Sequence, residues 1–226
     1  MTIGAVIFDN DGVLVDSEAI HVRIELEFLA ELGLHYEFST YTSRFVGLDD
    51  TRFLAELAED HEAAGLGPFP ADFAERLHAR GWDRLLEVLK PLPGIDDLLQ
   101  ATKELPRAVA SSASSFNLQA KLDRVGLSAA FEPHLYSAEI VGRGKPAPDL
   151  FLYTANALAV APEQCLVIED SRNGVLAARA AGMTAVGYIG GGHADPDLGE
   201  RLMAAGAHRV FSDHSTIARA LEAGTL

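Results

Sequence analysis

Short apolar-rich runs recur along this chain at intervals that leave room for a helix between them. Ala5–Phe8, Arg107–Ser111, Leu166–Glu169, Thr184–Tyr188 and Arg209–Phe211 read as strands. Asn117–Val125, Leu150–Leu158 and Val175–Ala181 read as helices among them. The strand runs are continuous and do not alternate with polar residues, the pattern of strands covered on both faces. Strands and helices in this rhythm give a parallel sheet with helices on each side. One stretch departs from it. From Ser17 to Lys90 the periodicity is helical throughout, carried by Ile20, Ile24 and Phe28, by Phe53, Leu54 and Leu57, and by Leu85, Leu86 and Leu89. Pro91-Leu92-Pro93-Gly94 then closes the segment. The expected fold class is α/β: a doubly wound parallel-sheet core from residues 1–16 and 91–226, interrupted by an all-helical insert over residues 17–90.

The 226 residues are 48% hydrophobic and 23% charged, enough to bury a large core. A net charge of −15 repels nucleic acid and anionic membrane surfaces, so neither is expected as a partner. An anionic substrate needs a local cationic site to overcome that field. The single cysteine, Cys165, forms no intrachain disulfide, which fits a reducing cytoplasm. Inside Cys165-Leu166-Val167-Ile168 it reads as a small buried hydrophobe, not a reactive thiol. The N-terminus lacks a basic region and its apolar run breaks at Asp9. Neither a signal peptide nor a membrane span is expected, and the expected location is cytoplasmic.

Ligands of open α/β sheets bind outside the carboxyl ends of the strands. The residues found there are Asp9-Asn10-Asp11, Ser111-Ser112 and Glu169-Asp170-Ser171, with the loop Gly142–Asp149 carrying Lys145. Carboxylates gathered at one edge repel, by about 4 kcal/mol per pair at ~4 Å and an effective dielectric of ~20. Raised pKa values or a bound cation relieve that repulsion, and hard oxygen ligands suit Mg²⁺. Each residue taken singly has a plainer reading: Asp11-Gly12 as a turn, Asp170 or Ser171 as a helix cap, Ser111 or Ser112 likewise, Lys145 as a solvated loop lysine. Their appearance together at successive strand ends points to a site.

"FDNDGVLVDSE" from residue 8, "ASS" from 110, "GKPAPD" from 144 and "VIEDSRNGVLAARAAGM" from 167 resemble the four ordered motifs of the haloacid dehalogenase-like hydrolase superfamily. The match is to its β-phosphoglucomutase-like phosphatases, which have a Rossmann-like core and a helical cap after the first motif. The resemblance implies Asp9 as a nucleophile giving an aspartyl-phosphate, and Asp11 as the acid and then the base of the two half-reactions. It implies Mg²⁺ held by Asp9, Asp170 and the Asp11 carbonyl, with Glu169 as a direct ligand or one contact removed. Ser111, with Ser112 beside it, would bind phosphate, and Lys145 would neutralise charge on nucleophile and phosphoryl group. The implied reaction is Mg²⁺-dependent hydrolysis of a small phosphorylated metabolite, a sugar or polyol phosphate, with substrate choice residing in the helical insert. Dehalogenase members generally lack the second aspartate, so Asp11 favours phosphoryl transfer. Phosphonate hydrolysis would need a Schiff-base lysine, and the insert has only Lys90.

Two competitors remain: a β-phosphoglucomutase-type isomerase using the same aspartates, and a non-catalytic binding module. Mutases share an arginine closely after a Gly-Val-Ser. Here the stretch is Gly47-Leu48-Asp49-Asp50-Thr51-Arg52, with acids at that place and Arg52 as a substitute in shifted register or a solvated helix residue. His21 matches a hinge histidine common to mutases and several phosphatases, or is a surface histidine. Gly190-Gly191-Gly192 reads as a mobile loop; Arg76, His78, Arg80 and Arg84 as a solvated helix face; Trp82 as packing; Asp149 as a helix cap. Asn10 has no assigned role.

Overall fold

The computed structural model describes residues 3–45 and 50–226. In chain order the elements are β1 (Ala5–Phe8), α1 (Ser17–Glu31), α2 (Phe38–Phe45), α3 (Asp50–Ala63), α4 (Phe73–Val88), α5 (Ile95–Ala101), β2 (Arg107–Ser111), α6 (Ser115–Arg124), β3 (Leu135–Ser137), α7 (Asp149–Ala157), β4 (Cys165–Glu169), α8 (Arg172–Ala180), β5 (Thr184–Tyr188), α9 (Leu198–Ala204), β6 (Arg209–Phe211) and α10 (His214–Glu222). Among the described residues the strands form one six-stranded sheet in the order β3-β2-β1-β4-β5-β6. Every pairing is parallel. The five strands read from the sequence are present. Patterning missed β3, a three-residue edge strand with two half-buried members.

β1 lies between β2 and β4, where the winding of the sheet reverses; Ile7 is in register with both Ala108 and Val167. A crevice at such a switch point is where open α/β sheets bind ligands. One face of the sheet buries Ala5, Ile7, Ala108, Cys165 and Val167 against Phe151, Val175, Ala178 and Leu202 from α7, α8 and α9. The alternate residues Val6, Phe8, Val109, Leu166 and Ile168 are fully buried too, and Phe8 meets Phe131 edge-on at 5.3 Å. Cover on both faces explains the unbroken apolar runs. Cys165 is buried, and burial lifts its thiol to about 11, as befits a packing residue.

The chain divides into two compact units, Met1–Asp16 with Leu89–Leu226, and Ser17–Val88. In the first, the outgoing and returning segments run side by side, Leu92 N donating to Leu14 O at 2.9 Å. In the second, α1 and α4 pack together and Phe28, Leu29, Phe73 and Leu85 are buried, while Tyr36, Tyr41 and Phe45 form an aromatic cluster. Arg76, His78, Arg80 and Arg84 are exposed, as read from the sequence; Trp82 is half-buried. Among the described residues no helix is long and apolar enough to cross a membrane.

Leu166, on β4, is fully buried. Leu166→Ala is expected to lower unfolding free energy by about 2–5 kcal/mol, read from the midpoint of a urea titration.

Candidate active site

The first motif is a tight loop on the end of β1. The Asn10 carbonyl accepts from the N–H groups of Val13, Leu14 and Val15, and Gly12 N donates to Val15 O at 2.8 Å. Gly12 has φ +79°, and a Cβ there would stand 1.7 Å from Asp170 Oδ2. Glycine is therefore required twice over, by the backbone and by the approach of the loop that follows β4. This closeness brings the first and fourth motifs together.

Asp9 follows β1 directly, its N–H bonded to Ile168 O of β4 at 3.0 Å. Its side chain faces Lys145, whose Nζ lies 2.5 Å from Asp9 Oδ1, 2.6 Å from Glu169 Oε1 and 2.9 Å from Ala110 O. The same ammonium lies 5.0 Å from the Phe151 ring centroid. An ammonium has three donors, and here they go to the ends of three neighbouring strands. The Lys145 side chain is 4% exposed, so it is no solvated loop lysine. Burial works against its charge, but the Asp9 and Glu169 carboxylates outweigh that and raise its pKa above the usual lysine value.

Glu169 is held from its other side as well. Ser171 donates to Glu169 Oε2 from both N–H (3.0 Å) and Oγ (2.8 Å), and Ser171 Oγ in turn caps α8 by accepting from Gly174 N at 2.9 Å. Ser171, not Asp170, is the cap of that helix. Asp170 pairs instead with His193, Nε2 to Oδ2, at 3.1 Å. His193 arrives on the loop after β5, where Gly192 N donates to Asp16 Oδ1 at 2.9 Å and a Cβ on Gly191 would stand 3.2 Å from Gly12 O. The glycine-rich stretch packs against the first motif.

Burial pushes the Asp9 carboxyl well above the ordinary range; Lys145 pulls it back, and Glu169, Asp170 and Asp11 push it further up. Burial likewise lifts Asp170 to about 6, with His193 opposing and Glu169 adding to the rise. These are carboxylates crowded out of water. Among the described residues no three His, Cys, Asp or Glu side chains form a ready-made metal cage. Two buried carboxylates with hard oxygen donors match the requirement of Mg²⁺, which uses one or two carboxylates and keeps its waters.

Ser111 ends β2, is 1% exposed, and its Oγ accepts from Ala113 N at 3.0 Å; Ser112 is exposed. Neither caps α6: Ser114 does, accepting from Asn117 N at 3.2 Å. β3 braces this loop, Ser137 Oγ donating to Ala113 O at 2.6 Å. Asp149 does not cap α7, whose N-cap is Pro148; it pairs with Arg143 at 3.0 Å across the Lys145 loop. Arg52 is exposed and pairs with Glu56 at 3.1 Å, as a solvated helix residue does, while His21 lies half-buried on α1. Gly47, Leu48 and Asp49 fall outside the described residues. The Asn10 side chain is fully buried, and among the described residues neither of its polar atoms has a hydrogen-bond partner.

Sequence reasoning missed two side chains at this edge, His193 and Lys121. Lys121, on α6, pairs with Asp11 through Nζ and Oδ1. A signal for Lys121 exists: it falls three residues after Leu118 and one before Leu122, on the buried face of its helix.

Residues 3–182 match the haloacid dehalogenase-like hydrolase family, and the chain belongs to it. It is 34% identical over 180 residues to fructose-1-phosphate phosphatase YqaB of Escherichia coli, covering 80% of this chain and 93% of that protein. It is 31% identical over 205 residues to a phosphorylated carbohydrates phosphatase of Thermotoga maritima, covering 90% and 91%. A longer relative from Arabidopsis thaliana is 35% identical over 188 residues, of which the match spans 18% of the length. Among solved structures, a family hydrolase from Deinococcus radiodurans with bound phosphate and sodium superposes with a TM-score of 0.87 at 37% identity, over 99% of this chain and 97% of that one.

A Cβ on Gly174 would stand 1.8 Å from the Glu169 carboxylate. Alanine in place of glycine in a helix ordinarily stabilises by about 0.5–1 kcal/mol. Here the sign reverses: Gly174→Ala is expected to cost about 1–3 kcal/mol, read as a lower guanidinium midpoint.

Proposed function

We propose that the chain is a Mg²⁺-dependent phosphatase that hydrolyses a small phosphorylated sugar or polyol through an aspartyl-phosphate on Asp9. The observation that carries this reading is the buried Asp9 carboxylate paired with Lys145 at 2.5 Å. Burial alone would leave Asp9 protonated and a poor nucleophile; the ammonium favours the ionised form that attack requires. The names of the E. coli and T. maritima relatives, which refer to fructose 1-phosphate and phosphorylated carbohydrates, support the substrate class.

In the first step an Asp9 carboxylate oxygen forms a bond to phosphorus. The bond from phosphorus to the ester oxygen breaks, and that oxygen takes a proton from Asp11 and departs as the alcohol. In the second step Asp11, now a carboxylate, removes a proton from water as the water oxygen bonds to phosphorus. The Asp9–phosphorus bond breaks, returning both aspartates to their starting state and releasing inorganic phosphate. Lys145 stands against the charge on Asp9, and Ser111 is assigned to a phosphoryl oxygen. Asp9, Asp170 and the Asp11 carbonyl would hold Mg²⁺, which supplies positive charge to the phosphoryl oxygens. Glu169, bound by Lys145 and Ser171, orients Lys145. Choice among phosphorylated metabolites is assigned to the helical insert.

Incubation with a panel of sugar and polyol phosphates and Mg²⁺ is expected to release inorganic phosphate, and EDTA to abolish the release. β-Glucose 1-phosphate given with a bisphosphate activator should yield free phosphate; glucose 6-phosphate accumulating without it would make the enzyme a mutase. Asp9→Asn should lower kcat/KM by at least about 10³-fold, and a variant as active as the parent would remove Asp9 from its role.

A further inference from the structure

Lys121 has no place in the scheme above, yet it is 5% exposed on the buried face of α6 beside Leu118 and Leu122. An apolar side chain would serve helix packing there equally well. A buried ammonium is costly unless paired, and replacing a buried ion pair with apolar residues is often neutral or stabilising. Stability therefore gives no reason for a lysine at this position.

Its partner supplies one. Lys121 Nζ pairs with Asp11 Oδ1, from a residue 110 positions away in the chain. Asp9, two residues earlier, has Lys145. Asp9 and Asp11 thus each meet a separate buried lysine, Asp11 one from α6 and Asp9 one from the loop before α7. A carboxyl group that must hand a proton to one particular oxygen gains from having its orientation fixed beforehand, since small misplacements are costly in rate.

We propose that Lys121 is a positioning residue: it holds Oδ1 of Asp11 and so turns the other carboxyl oxygen, which carries the proton in the acid form, toward the ester oxygen of the substrate. The proposal rests on the assignment of Asp11 as the proton donor to the leaving group. Lys121 touches neither the phosphoryl group nor the alcohol in this scheme, and it acts through Asp11 alone.

Leaving-group dependence separates this role from a structural one. p-Nitrophenyl phosphate loses an aryl oxide that departs as a stable anion, whereas a polyol phosphate loses an alkoxide that must be protonated as its bond breaks. For both, kcat/KM reports the steps up to departure of the leaving group. The experiment measures both values with Mg²⁺ for the wild type, Asp11→Asn, Lys121→Met and Lys121→Gln. Asp11→Asn should lower the ratio of alkyl to aryl kcat/KM by about 10²-fold. Lys121→Met and Lys121→Gln should each lower the same ratio by about tenfold, as expected of a misdirected acid. A purely structural lysine would lower both values together and leave the ratio at its wild-type level. That result in both Lys121 variants, with the Asp11→Asn ratio reduced, overturns the proposal and leaves the Asp11 assignment standing. An unchanged ratio in Asp11→Asn removes the proton-donor role of Asp11, and the proposal falls with it. Thermal unfolding identifies which Lys121 variant is folded, and Lys121→Gln, which keeps a donor and a similar length, carries the comparison if the methionine variant is not.

Discussion

One ammonium holds the carboxyl edge of this sheet together. Lys145 reaches the end of β1 at Asp9, the end of β2 at Ala110 and the end of β4 at Glu169. No apolar contact could take its place, because the groups to be joined are two carboxylates and a carbonyl, all needing a donor. Without a cation the two carboxylates repel, and burial makes that repulsion stronger than it would be in water. With it, the ionised form of the buried Asp9 carboxyl gains a partner that offsets part of the cost of burial.

The sheet order explains why such a contact is available. β1 is the first strand in the chain and a central strand in space, flanked by strands that enter 102 and 160 residues after it does. Residues remote in sequence therefore finish side by side at one edge. Apolar cover on both faces fixes the register, so Phe8 stands level with Val109 and Ile168, and Asp9 follows at the same height as Ala110 and Glu169. Packing in the interior sets the position of charge at the rim.

Much of this was legible in the sequence, for identifiable reasons. The strands β1, β2, β4, β5 and β6 announce themselves as unbroken apolar runs because they are covered on both sides. β3 did not, since Leu135 and Tyr136 are only half-buried and three residues carry no period. Among site residues, Asp9, Asp11, Ser111, Glu169 and Asp170 lie on or just after strand ends, where position can be read from local pattern, and Lys145 lies in a motif of its own. Lys121 and His193 reach the same edge from a helix and a loop, so only folding reveals them. Lys121 was concealed by its type: a lysine in a helix reads as solvent-facing unless its phase against Leu118 and Leu122 is checked. The cap read for Asp149 falls on Pro148, and Ser114 caps α6, which sets aside the plainer reading of Ser111 or Ser112 as that cap. Several polar residues in each loop could serve, and backbone geometry chooses among them.

The left-handed turn at Gly12 carries a consequence for anyone wishing to rebuild this chemistry elsewhere. Asp170 Oδ2 occupies the place a methyl group would fill on any other residue at that position. Grafting the acids onto a foreign sheet would therefore fail unless the graft also kept this glycine. The donor motif includes a missing side chain as well as its charges, and an inventory of functional groups alone would leave it out.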